Sequence, residues 1–510
     1  VQYVGSFLRQ IYTIFRITSF ALRHYLNGKC YLSIKIHMRI IILIGLILFV
    51  FLSMSLKENE KRQRPNIILV MSDDQGWGQM GYYDHPFLKT PHLNEMAKNG
   101  LRMDRFYAGA PVCSPTRSSV LTGRANDRSA VFAHGFPMRR QEKTVAQALQ
   151  KSGYATAHFG KWHLDGLKGP GVPILSEDNR NPGNFGFTEW LSVSNFFDIN
   201  PLMSHKGKIA EYIGNSSDII VNQALDFILG HKNEPFFVVI WFGSPHEPWS
   251  ALPEDKSNFP KGLEEMQQNY YGEIVEMDKS IGLLNSQLKE LGLDENTLIW
   301  FNSDNGGVSF GGKEGVGELR DFKGSVYEGG IRVPCIIKWP ATIKDGTISH
   351  FPASTMDIFP TIASICNLPD DVFVRPIDGK SIFPLFKGKP EGFRKYPIPF
   401  KYRNQGAFID NDYKLLVENI DKKEYALYDL KKDRSEIKNI ISLHPSRAQK
   451  MISNYEQWIE SVNQSVRGED YEGGLIEKDP TPEFWWNKPE YAPFLPLWKN
   501  RVEYKKQLND

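Results

Sequence analysis

Three short apolar runs, each ending abruptly in polar residues, constrain what this chain can fold into. Residues 66–71 (N-I-I-L-V-M) run into Ser72-Asp73-Asp74-Gln75-Gly76. Residues 236–242 (F-F-V-V-I-W-F) run into Gly243-Ser244-Pro245-His246, and residues 297–302 (T-L-I-W-F-N) into Ser303-Asp304-Asn305-Gly306-Gly307. A continuous apolar run of strand length is buried on both faces, as strands inside a parallel sheet are. Between the runs, residues 144–152 and 269–291 carry apolar side chains at three- and four-residue spacing, which predicts helices. Strands alternating with helices predict an α/β domain whose sites gather beyond the strand C-termini. The three polar clusters therefore belong to one edge of one sheet.

A chain of 510 residues that is 41% hydrophobic can bury a large core and still form a second domain. The main α/β domain is expected over 64–390. Beyond it, short β-like runs at 407–409, 413–418 and 425–430, then a helical pattern at 445–462, predict a smaller α+β domain over 391–467. The tail, 468–510, is rich in proline and aromatics, among them Phe484-Trp485-Trp486 and Trp498. It is expected to wrap over the body, its tryptophans either packed on the core or offered to sugar rings.

The formal charge of +2 invites a nucleic-acid reading. Residues 1–39 carry Arg9, Arg16, Arg23, Lys29, Lys35 and Arg39 and no acid, so subtracting these six charges leaves −4 for the rest. A mildly acidic body gives a polyphosphate-binding surface no support, and no nucleic-acid partner is expected. Arg39, the apolar run 40–52 and then Ser53-Met54-Ser55 have the form of a secretory signal peptide, placed at 38–56. The run falls short of the roughly 18–20 apolar residues of a membrane span, so no stable span is expected. Met38 stands where a start would, so residues 1–37 read as an upstream or non-native extension. Export to the periplasm or the extracellular space follows. In an exported chain Cys335 and Cys366 either pair or remain buried thiols, and no Cys-x-x-Cys or Cys/His pairing suggests zinc.

The chemistry concentrates around Cys113-Ser114-Pro115-Thr116-Arg117, followed by Ser118-Ser119-Val120-Leu121-Thr122-Gly123-Arg124. This stretch resembles the signature of the formylglycine-dependent (type I) sulfatases, of the arylsulfatase and N-acetylgalactosamine-6-sulfatase kind. The resemblance spans roughly residues 64–465 and includes Arg332-Val333-Pro334 and Met356-Asp357-Ile358-Phe359-Pro360-Thr361. It implies an alkaline-phosphatase-like α/β fold: a large mixed sheet flanked by helices, with a smaller C-terminal α+β domain. It also implies hydrolysis of sulfate esters, and oxidation of Cys113 to formylglycine by a formylglycine-generating or sulfatase-maturating enzyme. A hydrated aldehyde suits the task. One hydroxyl attacks sulfur, and the second loses its proton to expel sulfate, which a serine could not do.

By the same resemblance Asp73, Asp74, Asp304 and Asn305, with the Cys113-derived side chain, bind a metal ion. Their hard oxygens suit Ca2+ far better than zinc. Gly160-Lys161-Trp162-His163-Leu164 matches a segment in which Lys161 bridges nucleophile and sulfate, and His163 contacts the nucleophile's hydroxyl. Read as extended backbone, it faces Lys161 and His163 to one side. His246 matches the histidine beside the leaving oxygen, Lys323 the second sulfate-binding lysine, and Arg117 the residue that orients the nucleophile. The expected substrate is a sulfated carbohydrate, an oligosaccharide of algal or matrix polysaccharide. The rival readings are a phosphonate or phosphate ester hydrolase of the same superfamily and a non-catalytic glycan-binding relative. Residues 165–215 and the tail carry no motif assignable to the family, so substrate choice is expected to reside there.

Overall fold

Five parallel strands form the middle of the molecule, and their polar ends all point one way. The computed structural model describes residues 64–197, 199–388, 392–474, 476 and 481–509. The extension expected at 1–37 and the signal peptide expected at 38–56 lie outside them. In chain order the main sheet contains β1 (Asn66–Ser72), β2 (Leu101–Met103), β3 (Ala155–Lys161), β4 (Glu189–Val193) and β5 (Leu202–His205). It continues with β6 (Lys208–Glu211), β7 (Phe236–Trp241), β8 (Thr297–Ser303), β9 (Cys335–Lys338) and β10 (Thr347–Ser349). Their spatial order is β10-β2-β9-β8-β1-β7-β3-β4-β5-β6. Strands β8, β1, β7, β3 and β4 are mutually parallel. Antiparallel partners close both flanks, β9 against β8 and β5 against β4. The sheet is mixed, as expected.

Period-two alternation divides the strand residues between two cores. Ile67, Leu69 and Met71 of β1 pack with Val120 and Leu121 from α1 (Cys113–Thr122), Leu149 from α2 (Val145–Lys151), and Phe359 and Ile362 from the helix Ile358–Ile365, on one side of the sheet. Ile68 and Val70 face the other side, against α3 (Ser216–Gly230) and α4 (Glu265–Glu290), which bring Ile220, Val221, Ile274, Met277 and Ile281. Helix α4 begins four residues before the apolar spacing does, because Glu264 and Gln267 form a capping box there. Strand β3 escaped the apolar-run reading because it buries Thr156 and His158. The Thr156 hydroxyl donates to the Gly186 carbonyl at 2.7 Å, and His158 Nδ1 lies 2.7 Å from the Ser192 hydroxyl while its buried Nε2 has no partner.

A second sheet of four antiparallel strands, Ile398–Tyr402, Gln405–Asp410, Tyr413–Asn419 and Glu424–Asp429, follows, with helix α5 (Pro445–Val466) packed on it. Its other face packs on Tyr107, Val112 and Val326 of the main domain. Lys414 crosses this junction, pairing at 3.1 Å with Glu328 and at 2.8 Å with Glu436, all three buried. The tail is stitched to the main domain. Glu483–Phe484 pairs in parallel with Leu167–Lys168, while Trp485 and Trp498 are buried with Leu167 and Val172. Of the two roles open to these tryptophans, packing is the one they occupy. Cys335 and Cys366 do not pair with each other, and the Cys366 sulfur lies 3.3 Å from the Tyr154 hydroxyl. Among the described residues no helix is long and apolar enough to cross a membrane.

Removing Lys414 strands two buried carboxylates. Lys414→Ala is expected to destabilise the protein by about 3–5 kcal/mol, read as a lower midpoint in chemical denaturation. An unchanged midpoint would show that the junction does not depend on this charge.

Candidate functional site

The site is built where the parallel strands end. Asp73 and Asp74 follow β1, Asp304 and Asn305 follow β8, and the two loops hold each other. The Asp304 amide donates to the Ser72 carbonyl at 3.1 Å, and the Asp74 amide donates to the Asp304 carboxylate at 3.1 Å. All four side chains are buried. Asn305 donates to Asp74 at 2.8 Å, but its Oδ1 has no protein partner. The close approach requires glycine. A Cβ on Gly306 would lie 1.8 Å from the Gly329 carbonyl oxygen. The same contact brings in the Lys323 segment, whose amide donates to Gly307 and whose neighbour Gly324 donates to Pro111, beside Cys113.

Three cations meet these three carboxylates. Lys161, the last residue of β3, pairs with Asp73, and Lys323 Nζ lies 2.6 Å from Asp74. Arg117 lies 2.8 Å from Asp304 and 3.6 Å from Asp73, donates to the Lys161 carbonyl at 3.0 Å and covers the Trp241 ring. Burial alone would raise the Asp73 pKa, yet Lys161, His246, Arg117 and Lys323 outweigh it and hold Asp73 well below the usual carboxylate range. Asp304 goes the other way: burial and then the charge of Asp73 push it up to about 7, against Arg117.

Cys113 opens helix α1, its Sγ 3.4 Å from Asp73 Oδ1. Burial, then Asp304 and Asp73, push its thiol far above the ordinary range, which disfavours the thiolate. His246 stacks on Phe196, places Nδ1 2.6 Å from the Glu247 carbonyl and turns Nε2 toward Asp74 at 3.8 Å. Burial first, then Lys323 and Lys161, lower its pKa to about 4. His163 is lowered by burial, then by Lys161 and Arg117, and its Nδ1 has no partner. The extended reading of residues 160–164 needs correcting. The strand ends at Lys161, and His163 has φ 56°, so the chain turns there and aims the two side chains by a bend rather than by alternation.

The ligand atoms of Asp73, Asp74, Cys113 and His246 lie within 4.8 Å of one another. With Asp304 alongside and the orphaned Asn305 oxygen, this oxygen-rich set fits a hard divalent cation. The ten residues singled out in the sequence thus converge on one place. A cavity of about 570 Å3 opens over it, and Cys113, His163, His246 and Lys323 line its floor. Its walls include residues that no motif identified, among them His134, Lys168, Asn195, Phe196 and Phe484. The adjacency of Asn195 and Phe196 to the end of β4 was the available signal, since β4 ends at the same sheet edge.

The sequence model of the Sulfatase family matches residues 65–368. This chain belongs to the sulfatase family. A second model, N-sulphoglucosamine sulphohydrolase, C-terminal, matches residues 317–465 of this sulfatase. The chain is 31% identical over 363 residues to the N-acetylgalactosamine-6-sulfatase of Canis lupus familiaris, a match covering 64% of this chain and 66% of that enzyme. The match therefore spans a little less than two thirds of that relative's length. An ulvan-active sulfatase of Formosa agariphila is 29% identical over 365 residues, with 67% and 69% covered. Among solved structures, Ps i-CgsB in complex with k-i-k-neocarrahexaose superposes with a TM-score of 0.71 at 23% identity, covering 87% of this chain and 100% of that one. The fold is thus alkaline-phosphatase-like, as expected.

Because Gly306 sets the distance between the Asp304-Asn305 loop and Gly329-Gly330, Gly306→Ala is expected to disturb both. Overpacking of this kind costs about 1–3 kcal/mol, seen as a lower unfolding midpoint. A variant as stable as the wild type would show that the loops separate freely.

Proposed function

We propose that this sulfatase hydrolyses sulfate esters of carbohydrates outside the cytoplasm, after a maturation enzyme has converted Cys113 to formylglycine. The observation that carries the proposal is the setting of Cys113. It sits at a helix N-terminus, against Asp73 and near Lys161 and Lys323, and its burial among acids disfavours the thiolate. A cysteine so placed is badly suited to act as itself. Hydrated formylglycine would supply two hydroxyls on one carbon, one to attack sulfur and one to drive sulfate out.

Asp73, Asp74, Asp304 and Asn305, together with the Cys113-derived side chain, would hold calcium, which would neutralise sulfate charge. The chain's own groups divide the remaining work. Lys161 and Lys323 bind the sulfate oxygens, and Arg117 fixes the loop carboxylates and the Lys161 backbone around the nucleophile. His163, neutral and with a free Nδ1, is the group able to take a proton from the nucleophile's hydroxyl. His246 is the residue assigned to donate to the leaving oxygen. A sulfate ester brought beside it adds negative charge, which favours the imidazolium that donation requires.

The carbohydrate assignment rests on the relatives, whose names include N-acetylgalactosamine-6-sulfatase and ulvan-active sulfatase, and on the export expected from residues 38–56. It is tested by sulfate release from a panel of sulfated oligosaccharides against an aryl sulfate. Efficient turnover of the aryl ester with no sulfate released from any glycan would overturn it.

Peptide mass spectrometry of protein from a maturation-competent host is expected to find an aldehyde or its hydrate at residue 113. Cys113→Ser is expected to remain folded and to lose turnover by at least about a thousandfold. Full activity with only unmodified thiol at residue 113 would sink the formylglycine assignment.

A further inference from the structure

The cavity over Cys113 carries more cationic and aromatic surface than a single sulfate needs. Lys168 lies on its wall, and among the described residues no carboxylate pairs with it. The tail strand fixes its position, because Phe484 stands opposite Lys168 in the pairing of Glu483–Phe484 with Leu167–Lys168. Lys168 Nζ stands 6.0 Å from the centre of the Phe484 ring. Phe484 is itself held: it stacks on Trp486 at 4.7 Å, and the adjacent Trp485 is buried and donates to the Pro170 carbonyl at 3.1 Å. In a segment whose other large rings pack inward, Phe484 keeps 45% of its surface exposed. Such a ring offers a rigid face on which the apolar side of a pyranose can stack. Nearby, Asn195 donates to the Gly169 carbonyl at 3.0 Å and leaves its buried Oδ1 without a partner.

The charge around this wall is of one sign on one side. His134, exposed on the same cavity, has its pKa lowered by burial and then by the charges of Lys323, Lys161, Arg403 and Lys168. Glu247, beside His246, is the acid on the cavity lining. A cation that no carboxylate among the described residues pairs, beside an exposed aromatic ring, suits a sugar that carries its own anion.

We propose that Lys168 and Phe484 form a second subsite, which takes a sugar ring bearing an anionic group in addition to the sulfate ester presented to Cys113. The group is a uronate carboxylate or a second sulfate, and the proposal rests on the reading of this chain as a carbohydrate sulfatase. Lys168 pairs with the second anion, Phe484 stacks on the ring, and the free Asn195 oxygen accepts from a hydroxyl. The wall exists because the tail docks on residues 165–175.

The test is calorimetric binding to the full chain carrying Cys113→Ala, which uncouples affinity from turnover. The probes are three matched disaccharides: one monosulfated and otherwise neutral, one with an added uronate carboxylate, and one with an added second sulfate. At least one charged probe is expected to bind about tenfold more tightly than the neutral one, and the stronger of the two identifies the group. Adding Lys168→Gln is expected to remove that preference, and Lys168→Arg to keep it. Adding Phe484→Ala is expected to weaken all three probes. Equal affinity for the three, or a preference that survives Lys168→Gln, overturns the subsite. Failure of the sulfatase reading looks different: matured wild-type enzyme would release sulfate from none of the probes, whatever their affinities.

Discussion

Three carboxylates buried within reach of one another are the condition on which the rest of this molecule depends. Moving one ionised carboxylate out of water costs several kcal/mol even after relaxation. Asp73, Asp74 and Asp304 are tolerable together only because Lys161, Lys323 and Arg117 are delivered to the same spot. The parallel sheet does the delivering. With β8-β1-β7-β3 side by side, one edge presents Asp304, Asp73, His246 and Lys161 without any long excursion of the chain. The imbalance that remains, Asp304 pushed up and the Asn305 oxygen unpaired, is the imbalance a cation would relieve.

The outer architecture serves this spot. The Gly306 and Gly329 loops touch backbone to backbone, and Glu328, next to Gly329, is gripped by Lys414 from the C-terminal sheet. The smaller domain therefore reaches the carboxylate loops through a single buried network. The tail acts on the other side, fixing Lys168 and Phe484 above the cavity floor. Charge balance fixes the floor, while packing of Trp485, Tyr491, Trp498 and Tyr504 fixes the wall.

Much of this was legible in the sequence because local pattern and position coincide. An apolar run that stops at Asp-Asp or Asp-Asn-Gly names both a strand and what lies at its end. Cys113 and Arg117, four residues apart, were legible as a motif, and one helix carries both into the site. Three things were not legible. Strand β3 hides behind Thr156 and His158, whose partners are remote in sequence. The bend at His163 is a backbone choice that residue types do not announce. The cavity wall depends on a tail more than three hundred residues from Lys168, so no local reading could assemble it, and the tryptophans that stood out prove to be its anchors while Phe484 is its face.

The central claim is that the strand-end carboxylates form a hard-cation site rather than a self-sufficient ion-pair cluster. The most direct measurement is calorimetric titration of calcium into the chelator-treated full chain. The account predicts uptake of one calcium ion per chain, abolished by Asp304→Ala. No calcium uptake, or a preference for zinc at the same site, would contradict it.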